Sequence, residues 1–279
     1  MNLDIIIAVQ QFSSPFFDAF FQVFTMLGEE AFFIASLTFI YWCISKEYGA
    51  KFSYIFFFSM FSNSILKTVL QVPRPIGTEG VRTLREHTAT GLSFPSGHTQ
   101  STTSFWYYLM ITLRKPWLTA AGIIIIMLMA LSRLYLGVHW PTDVIGAVAF
   151  GILFVHIGEA VYRIGYRENT PLLPLLIAAA SIPLVFVFQD GSYTIMAGIL
   201  SGASVGFLIE QRYIGFTIPE NMLLRLRNFI FGMLVLFFIR ETGKLLLPPH
   251  IVSDLIQYTL IGFWAAAGAP WAFKAFRKL

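Results

Sequence analysis

Two histidines stand out against the apolar background of this 279-residue chain. His139 comes four residues before Asp143, and Pro141 lies between them at a position suited to a helix start. A carboxylate bonded to one ring nitrogen of a histidine fixes its tautomer and leaves the other nitrogen free to attack. We therefore predict that His139 is a nucleophile. His98 is predicted to be the general acid that protonates the leaving group and later activates water.

Five further residues are predicted to form an anion-binding pocket. Lys67, Arg74 and Arg133 supply cations, and the fork of an arginine suits bidentate contact with phosphate oxygens. Ser96 and Gly97 precede a predicted helix, whose free N–H groups and dipole favour an anion. These residues are predicted to bind a phosphoryl group that the nucleophile carries as a phosphohistidine. No acidic cluster has metal-ligand spacing, so neither a metal nor another cofactor is expected.

The elements that must position these residues are membrane helices. The sequence is 56% hydrophobic and 12% charged, whereas a soluble domain carries about 25% charged residues. The pattern predicts an all-α polytopic bundle with about nine spans of roughly 20 residues each. The predicted spans are 29–45, 49–71, 98–113, 117–136, 142–162, 172–189, 193–210, 223–246 and 251–273.

The predicted topology brings the polar segments to one side of the membrane. These segments are 67–75 (KTVLQVPRP), 95–98 (PSGH) and 132–143 (SRLYLGVHWPTD). The distribution of Lys and Arg favours an outer N-terminus and an inner C-terminus. We therefore expect the site on the outer face, and a bacterial plasma membrane as its location. Residues 1–27 are predicted to form interfacial amphipathic helices, 28–189 the catalytic core, and 190–279 additional spans without an assigned role.

The three segments together resemble the signatures of the type 2 phosphatidic acid phosphatase superfamily. The matching patterns are K-x6-RP, PSGH and SR-x5-H-x3-D, and the resemblance covers about residues 28–189. The superfamily includes phosphatases of lipid phosphates, undecaprenyl diphosphate, sphingosine phosphate and glucose 6-phosphate. The resemblance implies the same site: phosphate binding by Lys67, Arg74, Ser96, Gly97 and Arg133, with His98 as acid, His139 as nucleophile and Asp143 as its partner.

The expected activity is hydrolysis of a lipid phosphate or lipid diphosphate, with the bilayer itself as the surrounding partner. Two alternatives stay open at this point: a sugar-phosphate phosphatase of the glucose-6-phosphatase type, and a lipid-binding or transport protein that uses the same pocket. A soluble haloperoxidase is excluded by the hydrophobicity of the chain. No long basic stripe is present, so no nucleic-acid partner is expected, and the sequence gives no oligomeric state.

Charged groups outside the motifs have competing interpretations. One long loop is predicted at about residues 72–95. Its basic residues either bind a headgroup or lie on a solvated face: Arg82, Arg85 and His87. Within the apolar fifth span, His156 is expected to pair with Glu159. Charged residues near the end of the eighth span are expected to form an ion-pair cluster, with a substrate-selecting patch as the alternative: Arg240, Glu241 and Lys244.

Overall fold

The computed structural model describes residues 3–86, 89, 91–165 and 172–276, and all regular structure in these ranges is helical. Eleven helices are present there: α1 (Leu3–Gln10), α2 (Pro15–Phe24), α3 (Glu30–Ile44), α4 (Lys46–Leu70), α5 (Gly97–Leu113), α6 (Pro116–Tyr135), α7 (Pro141–Gly165), α8 (Leu172–Phe188), α9 (Gly191–Ile214), α10 (Met222–Leu246) and α11 (Ile251–Phe276). A 3₁₀ turn, Thr25–Gly28, follows α2. The predicted all-α class is confirmed.

Each predicted span coincides with one of the helices α3 to α11, but fewer helices meet the requirements for crossing a membrane. Five are long and apolar enough, namely α6, α7, α9, α10 and α11. A sixth is added if α2 with its 3₁₀ turn and α3, which are bent by 48°, form one span. The other helices fall short for a physical reason. Polar residues lower the apolarity of α4 and α5, and Lys67 and His98 of the candidate site are among them. Helices α5 and α8 are also short, with 17 residues each.

The chain divides into two compact units, of which the first comprises Met1–Phe33 and Ser62–His156. Its core brings α2, the loop after α4 and the end of α6 together. The buried residues of this core are Phe21, Ala89, Tyr135, Leu136 and Val138. This core therefore lies directly beside the turn that carries His139.

The turn between α6 and α7 is fixed by close backbone contacts. Gly137 has a φ of +67°, and a Cβ at this position would lie 2.3 Å from the carbonyl oxygen of Arg82. The side chain of Gln10 is buried and donates to the carbonyl oxygens of Arg82 (2.6 Å) and Tyr135 (2.9 Å). Only glycine accommodates both this backbone conformation and this approach. Helix α1 thus helps to hold the loop against the turn.

The second unit comprises Ile34–Phe61 and Ile157–Leu279. Helices α9 and α11 approach each other closely within it, because Gly198, Gly202 and Gly206 repeat every four residues along α9. A Cβ at Gly202 would lie 2.0 Å from the carbonyl oxygen of Thr259. This spacing is typical of membrane helices whose backbones pack in contact. The additional helices are therefore a packed bundle; the domain boundaries expected at 27/28 and 189/190 stay a prediction.

Candidate active site

His139 lies at the end of the turn before α7 and is buried, with 1% of its surface exposed. Its Nδ1 lies 3.2 Å from Oδ2 of Asp143. The same oxygen accepts a hydrogen bond from the backbone amide of Trp140 (2.7 Å). An acid in the first helical turn that reaches back to the amide before the helix is a common helix cap. The start of α7 therefore fixes the carboxylate that faces His139.

Ser93 is a further residue of this group, and the sequence motifs did not identify it. Its side chain is fully buried, and its hydroxyl donates to Oδ2 of Asp143. The Ser93 Oγ also lies 3.3 Å from Nδ1 of His139. The sequence does carry a signal, since this polar residue stands three positions before Ser96 of the PSGH segment.

The other ring nitrogen of His139 faces a guanidinium. Nη1 of Arg74 lies 3.0 Å from Nε2 of His139 and 3.0 Å from the carbonyl oxygen of Val138. Because a guanidinium can only donate, Nε2 is the acceptor, and the ring proton lies on Nδ1. This is the tautomer that the nucleophilic role requires. The loop carrying Arg74 is held by a hydrogen bond from the indole of Trp140 to the carbonyl oxygen of Pro73 (2.9 Å).

Burial and the predicted basic residues act together on the pKa of His139. The pKa of His139 is lowered well below 6.5, first by burial and then by the positive charges of Arg74, Arg133 and Lys67. Burial also lowers the pKa of Arg74, and the negative charge of Asp143 offsets part of this effect; the resulting pKa is about 10. At neutral pH the site therefore combines an uncharged histidine with a charged guanidinium.

Lys67 and Arg133 reach the pocket from the last turns of α4 and α6. Nζ of Lys67 donates to the carbonyl oxygen of Leu92 (2.5 Å). Arg133 has only 1% of its surface exposed, and its Nη1 donates to the hydroxyl of Thr25 (2.5 Å). Within the described part of the chain, the buried Nε of Arg133 has no hydrogen-bond partner. A buried charge without compensation is costly, so this edge of the guanidinium suits an anionic ligand.

The start of α5 supplies backbone donors to the same pocket. Ser96 is the N-cap of α5, and its hydroxyl oxygen accepts from the amide (3.5 Å) and the hydroxyl (3.1 Å) of Thr99. Its own amide donates to the carbonyl oxygen of Asp143 (3.1 Å), which ties α5 to α7. Gly97 is the first residue of α5, and its N–H belongs to the free donors of a helix start. The buried Nε2 of His98 has no hydrogen-bond partner among the residues that the structure describes.

The basic residues of the long loop have structural partners. Arg82 forms a bidentate ion pair with Asp18, at 2.9 and 2.6 Å, and Arg85 pairs with Glu29 at 2.8 Å. Carboxylates of the N-terminal segment therefore bind both arginines. Arg82 is exposed, as the solvated-face interpretation expects, whereas Arg85 is half-buried; headgroup binding by either residue stays a prediction. His87 lies outside the described residues.

The remaining predictions on charged residues have mixed outcomes. The pairing of His156 with Glu159 is wrong: Nε2 of His156 lies 2.7 Å from the hydroxyl of Tyr107, and Glu159 pairs with Lys51 at 2.8 Å. Helix periodicity alone did not reveal these partners on neighbouring helices. The ion-pair cluster on α10 is confirmed, since both of its cations contact one carboxylate: Arg240 (3.1 Å) and Lys244 (3.8 Å) on Glu241.

Two family models match the chain. The model of the PAP2 superfamily matches residues 48–168, and the model described as "PAP2 superfamily phosphatase, transmembrane extension" matches residues 194–278. The first match contains every sequence-predicted residue of the site. The chain therefore belongs to the PAP2 superfamily of membrane phosphatases and is an integral membrane protein.

Individual relatives agree with this assignment. The chain is 29% identical over 237 residues to a probable sphingosine-1-phosphate phosphatase of Dictyostelium discoideum, covering 75% of this chain and 57% of that protein. It is 21% identical to sphingosine-1-phosphate phosphatase 2 of Mus musculus, covering 81% of this chain and 72% of that protein. It is 32% identical to an undecaprenyl-diphosphatase of Sulfolobus acidocaldarius, covering 38% of this chain and 52% of that protein.

Proposed function

We propose that this protein is a lipid phosphate phosphatase that hydrolyses the phosphate monoester of a sphingoid base through a phosphohistidine at His139. The observation that carries the activity is the position of His139, with Nδ1 facing Asp143 and Nε2 facing the guanidinium of Arg74. The substrate class is supported by the relatives. Those named for sphingosine 1-phosphate align with 75% and 81% of the chain, whereas the undecaprenyl-diphosphatase aligns with 38%.

The first chemical step forms a bond between Nε2 of His139 and phosphorus. The bond between phosphorus and the lipid oxygen breaks at the same time. His98 enters this step as the imidazolium and donates its proton to that oxygen, which leaves His98 neutral. The proton on Nδ1 of His139 stays on the ring and donates a hydrogen bond to Asp143, whose charge stabilises the substituted imidazolium. The product of this step is the free lipid alcohol, and the enzyme carries the phosphoryl group.

The second step returns the enzyme to its starting state. His98, now neutral, accepts a proton from water while the water oxygen attacks phosphorus. The bond between phosphorus and Nε2 breaks, and inorganic phosphate leaves. In both steps the cations and the helix N-terminus stabilise the equatorial oxygens of the transferring group: Lys67, Arg74, Ser96, Gly97 and Arg133.

Binding of substrate requires a local rearrangement at Arg74. Its Nη1 faces the lone pair of Nε2, which is the position that the phosphorus atom must approach. We infer that the hydrogen bond donated by Nη1 of Arg74 moves from Nε2 of His139 to a phosphate oxygen when substrate binds. Nε2 cannot accept this hydrogen bond and attack phosphorus at the same time. In the free site, Arg74 therefore blocks the attacking lone pair until an anion binds.

The membrane topology is part of the same proposal. All nine helices from α3 to α11 are proposed to cross the bilayer, with the site on the outer face and the N-terminus outside. The support is the distribution of Lys and Arg. The cellular membrane stays a prediction. Cysteine-accessibility labelling of single-cysteine variants on intact cells tests the orientation. Labelling of a cysteine placed at Glu79, an exposed residue of the loop between α4 and α5, only after permeabilisation would contradict it.

The activity is tested by phosphate release in detergent micelles, with and without EDTA. The substrate panel comprises sphingosine phosphate, phosphatidic acid, polyprenyl diphosphate and glucose 6-phosphate. We expect release that is greatest from sphingosine phosphate, insensitive to EDTA, and absent from the His139→Ala protein. His156→Ala is the matched control, because this exposed histidine bonds to Tyr107 and belongs to no motif of the site. Greater release from glucose 6-phosphate would favour the sugar-phosphate alternative. Absence of release from every substrate would favour the transport alternative.

A further inference from the structure

The 3₁₀ turn after α2 forms one wall of the candidate site. This turn, Thr25–Gly28, precedes residues 48–168, which match the PAP2 model. Thr25 is fully buried, and its hydroxyl oxygen accepts the 2.5 Å hydrogen bond from Nη1 of Arg133. Gly28 lies against the predicted general acid, because a Cβ there would be 3.0 Å from Cδ2 of His98. Two residues of the N-terminal segment thus contact two residues of the motifs.

We propose that Thr25 is a positioning residue, which orients Arg133 so that the Nε–Nη2 edge of its guanidinium faces the phosphoryl group. A guanidinium offers two edges for bidentate contact with an oxyanion, one of which includes Nη1. The bond to Thr25 occupies Nη1 and leaves the edge formed by Nε and Nη2. Nε is buried and has no hydrogen-bond partner within the described residues.

Hydrogen bonds and ion pairs to the long loop anchor the turn on both sides of Thr25. Before it, Asp18 of α2 binds Arg82, and the carbonyl oxygen of Gln22 accepts from Nη1 of Arg85 (3.0 Å). After it, Glu29 binds Nη2 of the same Arg85 (2.8 Å). The long loop therefore holds the N-terminal segment on the site, which gives its two arginines a role other than substrate binding.

This inference rests on the proposed function and adds a residue to it. Replacing Thr25 by valine removes the hydroxyl and keeps the shape of the side chain. Nη1 of Arg133 then loses its hydrogen-bond acceptor. We expect kcat to fall about 10- to 100-fold, which is the rate equivalent of a hydrogen bond to a charged group. Affinity for orthovanadate, whose bound form resembles the transferring phosphoryl group, is expected to fall by a similar factor, and KM to change less.

Two further variants separate positioning from a structural effect. Thr25→Ser keeps the hydroxyl and is expected to restore kcat and orthovanadate affinity to within about threefold of wild type. Thr38→Val removes a comparably buried hydroxyl that bonds the carbonyl oxygen of Ile34 (2.7 Å), and we expect it to leave both quantities unchanged. Midpoints of thermal unfolding in micelles are measured for all three proteins.

Failure of the positioning role of Thr25 can be distinguished from failure of the proposed phosphatase activity. A Thr25→Val protein that matches wild type in kcat and orthovanadate affinity overturns the inference, and so does an equal loss in Thr25→Ser. A wild-type protein that releases no phosphate from any lipid contradicts the proposed function. If the wild-type protein is nevertheless stabilised by orthovanadate, weaker stabilisation of Thr25→Val than of Thr25→Ser still supports the positioning role of Thr25. Equal stabilisation of these two variants overturns it.

Discussion

Nη1 of Arg74 lies 3.0 Å from Nε2 of His139, so the nitrogen proposed to attack phosphorus accepts a hydrogen bond from a cation proposed to bind phosphate. The contact defines the tautomer of the ring, because a guanidinium has no lone pair to offer. It also places a positive charge at the point where the anionic substrate must arrive. Burial of the ring, reinforced by the charge of Arg74, keeps the histidine uncharged, and the same arginine is placed to attract the group that the histidine is proposed to attack.

The carboxylate on the other side of the ring is expected to be essential for turnover. In an Asp143→Asn protein the amide can donate to Nδ1, which favours the tautomer with its proton on Nε2. We expect kcat to fall about 10²- to 10⁴-fold because the attacking lone pair is lost. Single-turnover measurements with a sphingoid base phosphate check this, and a kcat within threefold of wild type would contradict the proposed role.

Ser93 is expected to contribute less than Asp143. Its hydroxyl donates to Oδ2 of that carboxylate, and its removal leaves the Trp140 amide and His139 as neighbours of the oxygen. A Ser93→Ala protein should lose about tenfold in kcat with little change in KM. Ser181→Ala is the control, since this buried hydroxyl donates to the carbonyl oxygen of Ala178 one turn earlier in α8. An equal loss in both variants would show a general effect of buried serines.

The pH dependence follows from the lowered pKa of His139. In the proposed mechanism the neutral ring is the attacking form. A lowered pKa of His139 in the free enzyme therefore moves the acidic fall of kcat/KM to a pH below 6.5. Lys67 contributes to this lowering by its charge. In Lys67→Gln the pKa of His139 should rise, and the acidic limb of the kcat/KM profile should move to higher pH. A limb that keeps its position, or moves to lower pH, would contradict the assignment of that limb to His139.

The backbone at Gly137 is expected to be intolerant of any side chain. Alanine would adopt a positive φ at a cost of about 1–3 kcal/mol and would also contact the carbonyl oxygen of Arg82. We expect the free energy of unfolding of Gly137→Ala to fall by roughly 2 kcal/mol or more. Thermal unfolding in micelles measures this. Gly191→Ala is the control, because a Cβ at Gly191 has open space around it and no positive φ, and similar unfolding midpoints for the two variants would refute the strain.

Much of the site could be predicted from sequence because its chemistry depends on local spacing. A histidine and an aspartate four residues apart at a helix start are placed to face each other, and this spacing predicts the pair of His139 and Asp143. Helix positions were also predictable, since long apolar runs end at polar segments. The number of membrane crossings was harder to predict, because candidate site residues such as Lys67 make the helix that carries them more polar.

Contacts between segments distant in sequence could not be predicted from spacing. Thr25 and Arg133 are 108 positions apart, and no local pattern marks a threonine after an aromatic helix as part of a phosphate site. The carboxylate partners of Arg82 and Arg85 are likewise far away in the sequence.

One further signal does lie in the sequence itself. The glycines at 198, 202 and 206 form a recognised pattern for close packing of membrane helices.

The most direct test of the central claim is to trap the phosphoenzyme. The purified protein is mixed with a ³²P-labelled sphingoid base phosphate in micelles, quenched with alkali within milliseconds to seconds, and digested for mapping. We predict label that survives alkali, is released by acid as expected of a phosphohistidine, and lies on the peptide containing His139. A wild-type protein that turns over without any such label, or a His139→Ala protein that releases phosphate at the wild-type rate, would contradict the phosphohistidine mechanism.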